Sequence, residues 1–534
     1  MDFITVPDSS YRCQDPSESQ STTCVSSRRT SLSNEKEFGY RETKNGPCNV
    51  CGRMGEKGTD KVGSINSIES QKSLIVDWDG DNDPERPTNW PLRKKLAYTF
   101  TAATMVFGVS FSSSVFGPAT RVTASLFGVS IEVMDLSISF FLLGLAFGPS
   151  FFGPMSEVLG HLIPLSIGMG GFMIFQIPMA VAGNVQTILI SRFFQGFFSS
   201  AIQAVIAGMI VDVWSPIVRG VAIAIPAACM TGGSTLAPTV GTYVTESLGW
   251  RWIGWITLIY LAITTALGFL FLHHSSPRVI LTNRAQKRRF ETGNWALHSK
   301  YEESPVDFKL LMQKYLTKPI RIFFKEPILI ILTIYLTLVY GIFYISYQAF
   351  LRAFEARGWP ATTASLPFLS SELGVIASCC TFSLFIVTWW RKRFLRRNAV
   401  TPEDCLPIMI IGSCILPPAL LWFGWSTYTH WASQVIACFV IGWALMLVFI
   451  TGIVYIVDVY TINANSAMSI HIAVRSVVAS SFPLWTTPMF DRLGVDWGMT
   501  VLAACCFVMI PFPVLFWMHG GKIRSWSKFS FSTG

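Results

Sequence analysis

The chain has 534 residues, 51% of them hydrophobic and only 14% charged, with a formal net charge of +9 at pH 7. Soluble globular proteins carry about 25% charged residues, so this composition excludes an ordinary soluble domain and points to a chain embedded in a bilayer. The twelve cysteines do not form a disulfide framework. Cys229, Cys379, Cys380, Cys414, Cys438, Cys505 and Cys506 lie inside apolar runs, where thiols act as small hydrophobes. Cys48 and Cys51 form a lone C-x-x-C without a second pair at zinc spacing, so no metal site is expected.

Residues 1–92 hold no apolar leader, and their Ser, Thr, Gly and charge predict a disordered cytoplasmic tail. Apolar runs of about 20 residues are long enough to span a bilayer as helices. Twelve follow the tail, near 96–118, 133–154, 162–183, 187–213, 219–243, 251–272, 327–350, 365–389, 406–426, 432–458, 468–490 and 496–518. The predicted fold is therefore an all-α membrane protein of twelve transmembrane helices. Residues 93–272 form one six-helix half and 327–520 the other. Between them lies a basic linker, 273–326, with eleven Lys or Arg against five Asp or Glu. Residues 521–534 are a short tail.

Charge placement orients the spans. Arg93, Lys94 and Lys95 precede span one, Arg391, Lys392, Arg393, Arg396 and Arg397 follow span eight, and Lys522, Arg524 and Lys528 follow span twelve. With the linker, all fall on one side of alternating spans. The other side holds only a few, such as Arg121, Arg352, Arg357 and Arg492. The positive-inside rule places both termini in the cytoplasm. The +9 is thus a topology signal and not a nucleic-acid footprint, and the basic loops are expected to meet anionic lipid. An internal repeat supports two halves: Ile210-Val211-Asp212-Val213-Trp214 ends span four, and Ile456-Val457-Asp458-Val459-Tyr460 ends span ten.

Several constellations stand out. Arg192, in Arg192-Phe193-Phe194-Gln195-Gly196, is a charge inside an apolar helix, so it should face the bundle interior or a wet cavity. Its competing role is an interhelical hydrogen-bond anchor. In span five, Gly232-Gly233-Ser234-Thr235-Leu236-Ala237-Pro238-Thr239-Val240-Gly241 offers small residues for close helix approach and a proline that frees a carbonyl. Asp212 and Arg219, seven apart across the span four–five turn, are expected to clamp two helix ends; a surface ion pair of little worth is the alternative. Tyr340 and Tyr344 in span seven suit the lining of a broad cavity, or a lipid-facing aromatic stripe. His471 and Arg475 lie one turn apart on span eleven; His titrates near physiological pH.

Together these segments resemble the major facilitator superfamily, and within it the fungal twelve-span drug:proton antiporters, over roughly residues 76–520. The acidic lead-in Val76-Asp77-Trp78-Asp79-Gly80, Asp83-Pro84-Glu85 and Asn89-Trp90 is similar to that group's. The resemblance implies a proton-coupling role for Arg192, Gln195, Gly196 and Arg475, and an antiporter motif at Gly233, Pro238 and Gly241. It makes Gly153-Pro154-Met155-Ser156-Glu157-Val158-Leu159-Gly160 a gating loop, with Glu157 as its acid and Gly153 and Gly160 in its turns. Asp212, Arg219 and Asp458 join that gate. His161 and Leu162 replace the loop's usual basic residues, which weakens the expected latch unless Arg219 partners the acids. Gln348 stands where the group has Glu beside Tyr340 and Tyr344, so a cationic cargo is in doubt.

No P-loop, H-E-x-x-H or nucleophile elbow occurs, so the chain is not expected to be an enzyme. It needs no cofactor beyond a proton gradient. The expected function is proton-coupled efflux of a small organic molecule, either a fungal secondary metabolite or a drug. The partners are the lipid bilayer, that substrate and protons; a monomer in the plasma membrane is expected, with the vacuolar membrane as the alternative. Two rivals stay open: a proton-coupled importer of a small nutrient, and a non-transporting membrane sensor.

Overall fold

Inside a bilayer the backbone has no water to bond, so the apolar runs satisfy their own N–H and C=O groups as helices. The computed structural model describes residues 74–303, 317–393, 401–460 and 464–526. Cys48, Cys51, Arg396, Arg397, Lys528 and the first 73 tail residues lie outside the described residues. The first half contains α1 (Leu92–Ser114), α2 (Ile131–Leu159), α3 (Leu162–Ala180), α4 (Val185–Val213), α5 (Pro216–Ser247) and α6 (Arg251–Phe271). The second contains α7 (Pro327–Glu355), α8 (Pro367–Phe385), α9 (Leu406–Trp425), α10 (Trp431–Tyr460), α11 (Ala464–Ala479), α12 (Phe482–Met509) and α13 (Pro511–Trp526). Proline opens α5, α7 and α8, where its missing N–H costs nothing.

Among the described residues, eleven helices are long and apolar enough to cross a membrane. The twelfth span emerges at a glycine. The helical run Phe482–Arg524 is 43 residues long, about twice what one crossing needs. Gly494 interrupts it at φ 72°, ψ 174°, a conformation that a Cβ disfavours. The chain before Gly494 completes span eleven, begun by α11; the chain after it is span twelve. Large apolar side chains such as Phe269, Leu270, Phe507 and Val508 point outward, as lipid contact requires.

The two halves repeat one packing scheme. α2 lies on α4, α1 on α5 and α3 on α4; six helices on, α8 lies on α10, α7 on α11 and α9 on α10. The closest approaches repeat as well. A Cβ on Gly196 would stand 2.0 Å from the Phe141 carbonyl, and one on Gly144 would stand 2.1 Å from that of Phe193. In the second half, Gly442 meets the Ser371 carbonyl at 2.2 Å and Gly374 that of Phe439 at 2.1 Å. Gly196 precedes Asp212, and Gly442 precedes Asp458, by the same 16 residues (212 − 196 and 458 − 442). The short sequence repeat thus extends through the whole fourth helix of each half. The halves meet along α5–α8 and α2–α11.

Residues 74–91 are folded, although their composition placed them in a disordered tail. Ile75–Val76 pairs in parallel with His298–Ser299 of the linker. Asp83 accepts from the Asp79 and Glu85 amides, each at 2.9 Å, and from Arg284 Nη1 at 2.7 Å. Burial pushes the Asp83 carboxyl up, but these donors outweigh it and hold it at about 2. Arg284 also reaches Asp79 and Glu85, and Arg288 joins Asp79. The acidic lead-in is therefore a strap across the linker helix Pro277–Thr292. Its partners lie some 200 residues away, so composition could not reveal them. This side of the bundle is called the linker face below, and the opposite side the far face.

Candidate transport site

Arg192 is wholly buried at the centre of the first half. Its Nη1 donates to the Ser112 carbonyl at 2.7 Å and to Gln195 Oε1 at 3.4 Å, and its Nη2 to the Ser113 carbonyl at 3.2 Å. Ser112 and Ser113 belong to the last turn of α1, whose carbonyls lack intrahelical donors and carry the negative end of the helix dipole. Arg192 therefore caps α1. The Phe116 and Phe141 rings lie 5.4 and 5.0 Å from the guanidinium, adding cation–π attraction. No carboxylate pairs with it among the described residues, and its Nε has no hydrogen-bond partner. Gln195 is held in turn by its amide, which donates to the Phe175 carbonyl at 2.9 Å.

A hydroxyl chain carries this centre into the second half. Ser113 Oγ lies 3.3 Å from the Tyr344 hydroxyl, which lies 3.2 Å from that of Tyr340. Arg475 sits over the Tyr340 ring at 4.4 Å and the Phe449 ring at 5.1 Å. One turn away, the buried His471 has its Nδ1 3.4 Å from Thr333 Oγ1. The structure thus brings Arg192, Gln195, Tyr344, Tyr340 and Arg475 into one buried polar core.

Above this core lies a cavity of about 540 Å³ between the halves, within the range that holds drug-sized ligands. The far-face ends of α1, α2, α5, α7 and α8 and the first turns of α12 bound it. Tyr344, Phe368, Phe482, Ile138 and Leu351 give it aromatic and apolar walls, with Gln348 among them. Thr487 donates to Gln348 Oε1 at 3.2 Å. Tyr340 does not line this cavity; it lies deeper, against Phe449. Ion pairs Arg352–Asp491 at 2.7 Å and Arg121–Glu355 at 3.4 Å belong to the lining. Asp135, buried on α2, also contributes to the wall. Sequence reading missed it because it sits near the polar edge of span two, three residues after Glu132; its signal was a carboxylate within the apolar stretch 133–154.

The α5 motif divides by role. A Cβ on Gly233 would stand 2.4 Å from the Phe107 carbonyl, and one on Gly241 would stand 2.4 Å from that of Val115. Both glycines thus admit α1, and Pro238 lines the cavity.

The linker-face gate differs from expectation. Asp212 does not pair with Arg219; its Oδ2 lies 3.0 Å from His161 Nε2. The residue that broke the basic pattern is therefore the partner of Asp212. Arg219 Nη2 donates to the Val211 carbonyl at 3.4 Å and lies where both Asp212 and Asp458 attract it, between the two repeats. Gly153 sits inside α2 and makes no turn. Gly160 does, at φ 78°, where a Cβ would stand 2.6 Å from Val279. The carbonyl of Glu157 accepts from Arg278 of the linker helix at 3.3 Å. Replacing His161 with leucine is expected to speed hydrogen exchange several-fold over residues 205–214, because local opening there loses its latch. Unchanged exchange would remove His161 from the gate.

Two like halves around a buried polar core, with a cavity between them, define a membrane transporter. The chain belongs to the Major Facilitator Superfamily, whose family model matches residues 102–483. It is 43% identical over 483 residues to the citrinin biosynthesis cluster MFS transporter of Monascus ruber, covering 89% of this chain and 97% of that one. The ascochitine biosynthesis cluster MFS transporter of Didymella fabae is 41% identical, with 88% and 93% covered. The cercosporin MFS transporter of Cercospora nicotianae is 36% identical, with 86% and 91% covered. Among solved structures, the proton:xylose symporter XylE has the same fold at TM-score 0.58 and 16% identity, covering 80% of this chain and 96% of that one.

Proposed function

We propose that this chain exports a small fungal secondary metabolite across the plasma membrane in exchange for protons, with both termini in the cytoplasm. The observation that carries the reading is the kinship with transporters named for the citrinin and ascochitine biosynthesis clusters, joined to a cavity of matching size. In this orientation the cavity faces outward and the His161–Asp212 latch lies inside. Aromatic walls above two buried arginines favour an apolar, neutral or weakly anionic cargo over a cationic one. Gln348 supports the same preference, since an amide offers a cation no charge. Alternating access then requires the α5–α8 and α2–α11 contacts to rock about the core. Cells that express the chain and are loaded with citrinin are expected to retain less of it than cells that do not. Greater retention in the expressing cells would overturn export.

A further inference from the structure

Glu372 is the one charged residue of α8, and it faces the contact between the two halves. Its Oε1 lies 2.6 Å from where a Cβ on Gly232 would stand, so the α5 glycine is what makes room for it. Oε2 is buried and has no hydrogen-bond partner. Thr235, one turn along α5, is within hydrogen-bonding reach of the carboxyl. No cation is near. α8 and α10 contain no Lys or Arg, and the basic residue of α5, Arg219, precedes Gly232 by 13 positions (232 − 219), roughly 20 Å of helix. The titratable neighbours are thiols: Cys229 on α5 and Cys379 on α8, with Cys438 buried on the adjoining α10. Asp135, by contrast, has Arg121 and Arg352 close enough to attract it. An ionised carboxylate buried without a cation or a full set of donors is costly, and a proton removes that cost.

We propose that Glu372 is the carboxyl that binds and releases the coupled proton, on the proton-antiport reading given above. It is protonated while the α5–α8 contact is closed around it and ionised when rocking opens that contact to water. The Thr235 hydroxyl donates to the Thr231 carbonyl at 2.9 Å and is within hydrogen-bonding reach of Glu372. When Glu372 gives up its proton, the hydroxyl turns and donates to the carboxylate instead. The proton has a short route from the far face, because Phe368, one turn before Glu372 on α8, lines the cavity.

The test uses the full chain in proteoliposomes with citrinin as probe. Two rates are read: uptake driven by an imposed pH gradient, and exchange of labelled for unlabelled citrinin without a gradient. Glu372→Gln is expected to lower driven uptake at least tenfold while exchange persists and becomes independent of pH; Glu372→Asp should restore part of the driven uptake. A Glu372→Gln protein that follows the gradient like wild type overturns the proposal, as does loss of both rates in both variants. A wild type indifferent to the gradient overturns the antiport reading itself, and the proposal with it. Infrared difference spectra give a reading without substrate: the carbonyl band of a protonated carboxyl should be present in wild type and missing in Glu372→Gln. Its equal presence in both overturns the assignment.

Discussion

Replacing Arg192 with alanine is expected to lower gradient-driven flux by roughly 10- to 100-fold, the equivalent of losing one charge-assisted hydrogen bond. Membrane insertion and binding of the probe should be largely retained. The guanidinium joins three things that otherwise separate: the last turn of α1, the Gln195 amide on its own helix, and the Ser113–Tyr344–Tyr340 chain into the second half. Alanine leaves the Ser112 and Ser113 carbonyls without their donor, in a site closed to water. Lysine should fail nearly as badly, because a point charge with three donors cannot span two carbonyls while lying between two rings. Arginine does not release a proton near neutral pH, so the expected loss comes from a core out of register. Normal flux in Arg192→Ala, or full rescue by Arg192→Lys, would remove it from the mechanism.

The spans, the two halves and the buried arginine were legible because each depends on residues close in sequence. Hydropathy over about 20 residues finds a crossing, and a charge inside such a run marks an interior position. The repeat ending in Asp212 and Asp458 was also readable, but its weight was not. The matching approaches at Gly196 and Gly442 show only when the backbones are in place. Partnerships were the part that sequence hid. His161 and Asp212 are 51 residues apart, and Asp83 and Arg284 are 201 apart, so no local pattern joins them. His161 departs from the family's basic pattern, yet it reaches across to Asp212 at 3.0 Å. Glu372 is the opposite case. As the one charge in an apolar run it was legible by the rule that marks Arg192; what sequence hid was the facing α5 glycine.

The second large effect concerns packing. Gly196→Ala is expected to destabilise the first half by about 1–3 kcal/mol, the usual cost of overpacking a filled interior. The added methyl would stand 2.0 Å from the Phe141 carbonyl, and that obstacle is backbone, so no rotamer change relieves it. α2 and α4 must part, and Gly144, whose own Cβ would meet the Phe193 carbonyl, leaves no slack on the other side. Gly442→Ala should cost a similar amount in the second half, because its clash with the Ser371 carbonyl is nearly the same at 2.2 Å. The two losses should add, since the sites share no partner. Gly170→Ala on α3 is the control: nothing lies within 4 Å of its Cβ, and alanine favours a helix over glycine by about 1 kcal/mol. Thermal unfolding in detergent, read by tryptophan fluorescence, separates the cases. Gly196→Ala and Gly442→Ala should each melt several degrees below wild type, and Gly170→Ala at or above it. If Gly196→Ala melts with wild type, the α2–α4 crossing is looser than described, and the close approach that places Arg192 against Phe141 and the end of α1 would have to be redrawn with it.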